Sequence, residues 1–364
     1  MRLTILGRDF PPTIGGIADH TDLLAEELAR RGIAVTVVCG APADERARFD
    51  VRAAIDRWDT AGVPAIVAAV RATEPDAILW QYNPFNYGAR GVPGRAPEEI
   101  ALSLRSVARL VVMAHELWFP WGRAGVRGLA WATTQRIATY GVLRDAHAVV
   151  VTTAKREHEL KRFGPKLHRI PVGSNIEPRA PQPGTRAMLG IDDGAFVAVH
   201  LGTAGPGKDL EPAFSAFRGL RDRAHLVLAG RGGAADVPRD LQDRVHVTGE
   251  KSREEISAIL RAADCYLHPD HSGPSAGRRG SLVAALAHEL PIVAFDGPDR
   301  EPELVDGENV VIASPDSLTS ALERLRVQPD LARKIGRSGR TLFERSFSWT
   351  RIAERLLPVL QGKT

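Results

Sequence analysis

Cysteine is scarce in this chain of 364 residues: Cys39 and Cys265 are the only two. That leaves no disulfide framework to read. Each cysteine ends or lies within an apolar, strand-like run, so both are expected as buried thiols in a reducing compartment. Long hydrophobic runs are also missing. No stretch approaches the ~18 apolar residues that a membrane-spanning helix needs. The opening Met1-Arg2-Leu3-Thr4-Ile5-Leu6-Gly7 reads as a short strand rather than a signal peptide. No block of like charge is dense enough for nucleic acid. Residues 1–180 hold 24 Lys+Arg against 19 Asp+Glu, whereas the remainder is close to neutral. A mildly basic first half suits an anionic acceptor or a weak peripheral contact with a membrane surface. Lys155-Arg156 and Lys161-Arg162 read as one solvated helix face. Asp270-His271 is too little for a metal site, and no compact cluster with metal-ligand spacing occurs elsewhere.

What the chain does have is alternation. The length suits two domains. Apolar runs at residues 3–6, 34–39, 77–81, 110–114, 148–152 and 168–170 read as strands, separated by helical periods at 18–31, 61–73, 129–143 and 155–163. A Pro-rich connection with Pro178, Pro181 and Pro183 then interrupts the pattern. Strands resume at 196–202, 224–229, 245–248, 265–268, 292–295 and 310–312, with helices at 210–220, 253–262, 281–288, 317–325, 330–346 and 350–360. Continuously apolar strands belong to parallel sheets covered on both faces. The fold class is therefore α/β with two doubly wound domains, whose ligands bind beyond the carboxyl ends of the strands. The expected division is 1–177, 178–345, and a terminal helix at 346–364.

The segment Phe10-Pro11-Pro12-Thr13-Ile14-Gly15-Gly16 sits between the first strand and the first helix. Two glycines there let the backbone approach a ligand, and the N–H groups of the first helical turn point at it. Further on come Ile170-Pro171-Val172-Gly173-Ser174, Gly202 followed by Lys208-Asp209-Leu210, Leu226-Val227-Leu228-Ala229-Gly230, Ala262-Ala263-Asp264-Cys265, the helix–strand unit at 281–293, Pro302-Glu303-Leu304-Val305 and Phe347-Ser348-Trp349. With these motifs in this order, residues 1–360 resemble the family-4 retaining glycosyltransferases. The resemblance implies the GT-B architecture, in which two Rossmann-like domains face each other across a cleft and the last helix crosses back to the N-terminal domain. It also implies a bacterial, cytoplasmic enzyme that moves a sugar from a nucleotide-diphosphate sugar, UDP- or GDP-linked, with retained configuration and no required metal or separate cofactor.

The family usually has an Arg after the strand glycine and a Lys further on, both on the diphosphate. Here Gly202 is followed by Thr203, and only Lys208 is kept. The family's two glutamates, for the sugar and the ribose, fall on Ala276 and Ala284. In their place stands Gly277-Arg278-Arg279-Gly280-Ser281 at the start of a helix, an anion site in which Arg278 or Arg279 takes over the missing cationic role. Ser281 either joins that site or caps the helix. The sequence is similar to a divergent subgroup with Arg-Arg-Gly-Ser in this position. Glu303 hydrogen-bonds the ribose or caps the following segment. Arg231 and Glu250 also follow strands.

On the other domain, His115 and Glu116 directly follow a strand; family members carry a His near the transferred sugar. A neutral imidazole orients a hydroxyl, and a carboxylate accepts its proton. Asp19 and His20, on the first helical turn beyond Gly15-Gly16, are placed to hold the acceptor hydroxyl. The aromatic loops at 81–87 and 118–121 offer faces for sugar rings, with residues 88–97 as an acceptor loop. The acceptor is a small or secondary metabolite, a lipid-linked sugar or a cell-envelope glycan, and the protein is expected as a monomer or homodimer, in part at the inner face of the membrane. The alternative is a catalytically degenerate binding or partner subunit, with both glutamates lost; an epimerase or phosphorylase on the same scaffold is a third reading.

Overall fold

The computed structural model describes residues 1–202, 210–220, 223–230 and 237–363. The chain forms two compact units, Met1–Pro171 with Trp349–Thr364, and Val172–Ser348. The change of unit falls at Pro171/Val172, ahead of the expected 177/178, because residues 172–176 are already part of the second unit. Val172 N–H donates to Gly277 O, and Ile176 is buried in that unit's core.

Strands of the first unit are β1 (Arg2–Leu6), β2 (Ala34–Gly40), β3 (Asp50–Ile55), β4 (Ala77–Tyr82), β5 (Arg109–Ala114), β6 (Ala148–Val151) and β7 (Leu167–Arg169). They form one parallel sheet in the order β3-β2-β1-β4-β5-β6-β7. Its helices are α1 (Gly16–Arg30), α2 (Val63–Arg71), α3 (Ala96–Leu104), α4 (Gly125–Asp145) and α5 (Ala154–Glu159). Two apolar clusters cover its faces, one against α2, α3 and α4, the other against α1 and the last helix.

The second unit holds α6 (Thr185–Met188), β8 (Phe196–Leu201), α7 (Glu211–Gly219), β9 (Ala224–Ala229), β10 (Val245–Gly249), α8 (Arg253–Ala262), β11 (Cys265–His268), α9 (Gly280–Ala287), β12 (Ile292–Phe295), β13 (Val311–Ala313), α10 (Leu318–Val327) and α11 (Pro329–Ser346). Its parallel sheet runs β10-β9-β8-β11-β12-β13. In both sheets the strand order reverses once, between β1 and β4 and between β8 and β11. Such reversals open the crevice where doubly wound sheets take ligands.

The final helix, α12 (Trp349–Gln361), belongs to the first unit. Ile352, Leu356, Val359 and Leu360 pack into its core, and Arg109 Nε donates to Val359 O at 2.8 Å. Both cysteines are buried thiols. Among the described residues no helix is long and apolar enough to cross a membrane, and no three His, Cys, Asp or Glu side chains converge as a metal site.

Three elements escape the sequence reading, the shortest being the one-turn helix α6 beside the Pro-rich connection. Strand β3 exposes most of its side chains and so lacks an apolar run. Helix α3 opens on Ala96-Pro97, where proline is compatible with a first helical turn although it reads as a loop signal.

Candidate active site

In the first unit the site grows from the ends of β1, β4 and β5. Gly15 and Gly16 open α1, and a Cβ built on either would meet no atom within 4 Å. Gly15 has an extended backbone (φ 175°), open to any residue. Neither chain conformation nor packing demands glycine at these positions. What remains is close approach of something outside the chain, which suits the first-turn N–H groups of α1.

One turn into α1, His20 is 4% exposed. Its ring lies 5.1 Å from that of His115 and 5.2 Å from that of Trp349, the first residue of α12. The structure thus brings together two candidates that are 95 positions apart in the sequence. His115 Nε2–H donates to Gln81 Oε1 at 2.5 Å. Neither nitrogen of His20 has a hydrogen-bond partner among the described residues, and the same holds for Thr21 Oγ1 and Gln81 Nε2. Four buried polar atoms left open around one strand-end crevice are an unusual cost. Hydroxyls of a bound sugar would satisfy them. Burial pushes the His20 imidazole down to about 4; burial, then the charges of His20 and Arg156, holds His115 well below its ordinary value. Both rings are neutral at pH 7. Asp19 is half-buried on the same turn, its N–H bonded to Gly15 O.

Glu116 is not a lone carboxylate. Arg156 Nη2 donates to Glu116 Oε2 at 2.6 Å, and Nη1 donates to the His115 carbonyl and to Thr152 Oγ1. Arg156 is 7% exposed, so the expected solvated face at 155–162 is corrected for this residue. Thr153 caps α5 by accepting from Arg156 N–H, which turns the side chain inward. Of the aromatic loops, Tyr82 and Tyr87 are buried packing residues, with Trp80 Nε1 donating to Tyr87 Oη at 2.7 Å; Trp121 is 51% exposed.

In the second unit a cavity of about 190 Å³ lies at the ends of β8 and β11, lined by His200, Gly202, His268, Asp270, Arg279 and Ser281 among others. Gly202 has a φ of 148°, a backbone conformation that favours glycine, and Gly230 beside it must be glycine because a Cβ there would overlap the Gly202 carbonyl. Arg279 is the N-cap residue of α9 and has an extended backbone; Ser281 lies inside the first turn rather than at the cap. The N–H groups of Gly280 and Ser281 find no backbone acceptor among the described residues. Gly280 leaves room for Asn175, whose Oδ1 would stand 3.1 Å from a Cβ there. The segment around Gly173-Ser174-Asn175 therefore braces this turn.

The two arginines separate. Arg279 lines the cavity and is paired with Asp270, which also accepts from Ser272 N and Oγ. Burial would raise Asp270, but those Ser272 bonds and the Arg279 charge outweigh it and hold the carboxyl below its usual range. Arg278 does not line the cavity; its nearest carboxylate is Asp299 at 3.7 Å. Ala276 and Ala284 are fully buried in the apolar core. A carboxylate does stand at this turn, Glu301, 2% exposed and accepting from Ser275 Oγ at 3.4 Å. Glu303 is half-buried, with its carbonyl accepting from Asn309 Nδ2. Thr203, Lys208 and Arg231 lie outside the described residues. The sequence reading missed His200, His268, Glu301 and Arg156. A histidine closing an apolar strand was the available signal for the first two.

These buried imidazoles make a pH prediction. His20 and His288, the latter buried against Ser257 and Ala284 O, both have pKa values lowered to about 4, with burial as the main cause. Between about 4 and 6.5 the unfolded chain binds more protons than the folded one, so stability falls as pH is lowered through that window. The slope is about 1 kcal/mol per pH unit for each histidine. Urea midpoints measured across that range should fall steadily, and a flat profile would refute the burial argument.

With this geometry in place, the family emerges. The model described as Glycosyltransferase Family 4 matches residues 14–177, and the one described as Glycosyl transferases group 1 matches 195–327. The chain carries the two domains of a family-4, group-1 glycosyltransferase, one match in each sheet. Among curated relatives, alpha-maltose-1-phosphate synthase of Mycobacterium tuberculosis is 25% identical over 99% of this chain and 98% of its own length. A GDP-mannose-dependent alpha-(1-6)-phosphatidylinositol monomannoside mannosyltransferase of Mycolicibacterium smegmatis is 24% identical, again over 99% and 98%. Among solved structures, sucrose-phosphate synthase from Thermosynechococcus elongatus superposes with a TM-score of 0.76 at 17% identity, covering 99% of this chain and 98% of that one. Anabaena HepE, in complex with UDP and glucose, gives 0.73 at 17% identity over the full length of both. The two Rossmann-like domains are those of the GT-B glycosyltransferases.

Proposed function

We propose that this chain is a retaining glycosyltransferase. It would transfer a sugar from a UDP- or GDP-linked donor to a hydroxyl of a small-molecule, lipid-linked or cell-envelope acceptor, in the cytoplasm and without a metal. The observation that carries this reading is the cavity at β8 and β11, where the Arg279 guanidinium, the Ser281 hydroxyl and the open N–H groups at the start of α9 meet. Such a group favours an anion, and a leaving diphosphate gains charge as the glycosidic bond breaks. Lys208 is assigned to the same diphosphate, Glu301 or Glu303 to the nucleoside or sugar, and Gly15-Gly16 of the first unit to close approach of the bound donor. In the first unit the neutral His20 offers one donor and one acceptor to sugar hydroxyls, and Glu116 is the candidate proton acceptor. HepE was solved with UDP and the mycobacterial mannosyltransferase uses GDP-mannose; these two nucleotides come first in any trial.

A thermal-shift panel of uridine, guanosine, adenosine and thymidine diphosphates tests the reading. One of them at about a hundred times its Kd should add roughly 2.7 kcal/mol of stability, and Lys208→Ala should remove the shift. Gly16→Val is a companion test, since no described residue comes within 4 Å of a Cβ built there. Its melting temperature without ligand should match the parent while donor turnover is lost; intact turnover sinks the assignment of Gly16. The absence of carboxylates at Ala276 and Ala284 is what motivates the second reading, a partner subunit without activity. No response to any nucleotide, together with a co-purifying partner, would select it.

A further inference from the structure

Helix α4 has two apolar faces. One is buried, through Gly128, Ala132, Gln135, Ala138 and Val142. On the opposite side Val126 is 87% exposed, Leu129 57% and Ile137 66%, with Ala130 and Thr133 exposed between them. The spacing 126, 129, 130, 133, 137 is that of one continuous helical stripe. Trp121, half exposed in the preceding loop, lies under the Arg136 guanidinium at 4.3 Å from the ring centre. No described residue covers this surface.

The charge along this segment is of one sign. Residues 117–144 contain four arginines, Arg123, Arg127, Arg136 and Arg144, and no aspartate or glutamate. Arg144 is paired with Glu98 and Asp145. Arg123 and Arg127 are exposed and have no ion pair among the described residues. A second copy of the chain docked two-fold on this face would set arginine against arginine, which like-charge repulsion disfavours. Aliphatic side chains that enter hydrocarbon, a tryptophan suited to the headgroup level and arginines with long stems suit an anionic lipid surface instead.

We propose that the exposed face of α4, with Trp121, Arg123 and Arg127, docks on an anionic phospholipid bilayer. Val126, Leu129 and Ile137 enter the headgroup boundary and the two arginines pair with lipid phosphates. The proposal is independent of the transferase reading and needs no substrate to test.

The experiment is flotation of the full chain with vesicles of equal parts phosphatidylglycerol and phosphatidylcholine, and with phosphatidylcholine alone. Binding is expected on the mixed vesicles and should weaken with added salt. The variant carrying Val126→Ser, Leu129→Ser and Ile137→Ser should bind at least about tenfold less, given the apolar area it withdraws. Arg123→Gln with Arg127→Gln should lose roughly fivefold per arginine, and only on the anionic vesicles. All these positions are exposed, so thermal midpoints should stay at the parent value. Equal partition onto both vesicle types, or unchanged binding by the serine variant, overturns the proposal. So does a dimer in sedimentation without lipid that the serine variant converts to monomer, which would assign the face to a second copy.

Discussion

An Arg279→Gln chain is expected to lose its thermal response to the cognate nucleoside diphosphate and to transfer sugar about 10²–10³-fold more slowly, the usual cost of deleting one preorganised group that stabilises developing negative charge. The reasoning runs from placement. Arg279 is the N-cap residue of α9, its side chain lines the cavity, and Asp270 holds it there while being held in turn by Ser272 N and Oγ. A guanidinium restrained by a carboxylate costs little to orient when the diphosphate arrives. Glutamine keeps most of the volume and a hydrogen-bond donor but no charge. The neighbouring Arg278→Gln is the control. Arg278 is near Asp299 and is not among the residues lining the cavity, so its loss should change transfer by less than about threefold, in the range of a long, half-buried ion pair at the surface. Nucleotide-dependent melting and steady-state transfer on the two variants measure the difference. Equal losses would show that the pair acts jointly; no loss from Arg279→Gln would remove this residue from the diphosphate site.

The same turn clarifies why the chain lacks the paired glutamates expected from its relatives. Ala276 and Ala284 are at 0% exposure, packed with Leu282, Val283 and Leu286. A glutamate at either place would set a charge in apolar surroundings unless a ligand met it. Here a buried carboxylate reaches the turn from a different segment, Glu301, which accepts from Ser275 Oγ and is tied by its N–H to Pro274 O. The alanines therefore fit a repacked turn and do not by themselves show decay.

Much of the fold was legible because parallel strands buried on both faces are written as unbroken apolar runs. Strand β3 fails that test: it lies at the sheet edge and shows Arg52 and Ala53 to solvent, so its chemistry looks like a loop. In the site, His20 and His115 could be read because each follows a strong local signal, a glycine turn or a strand end. Arg156 could not. Lys155-Arg156 has the look of a solvated pair, and its burial depends on how the β6–α5 connection meets the end of β5, a tertiary fact without local trace. His200 and His268 carry a weaker signal, each a polar residue at or next to the end of a strand whose other members are core. Whether Lys208 holds a phosphate rests on the family resemblance alone, since that loop lies outside the described residues.

Replacing Arg156 should therefore produce the largest change in the first unit. Arg156→Met removes the donor to Glu116, the His115 carbonyl and Thr152 Oγ1 together, and a buried group stripped of its partner typically costs about 3 kcal/mol. Glu116 is 37% exposed, and water recovers part of that loss, so roughly 2 kcal/mol in urea denaturation is the expected value. Stability alone would not separate a positioning role from a merely structural one; the pH profile does. The Arg156 cation is one of the influences that hold His115 down, after burial and His20. Without it the imidazole protonates at higher pH, so the acid limb of kcat/KM should move upward. Glu116→Gln keeps the volume and can still accept from Arg156, so its stability should stay within about 1 kcal/mol of the parent. If Glu116 takes the acceptor's proton, that variant should nonetheless lose roughly 10²–10⁴ in kcat. Full transfer by Glu116→Gln would confine the carboxylate to holding Arg156 in place, and an unmoved acid limb in Arg156→Met would leave His115 without a catalytic titration to report.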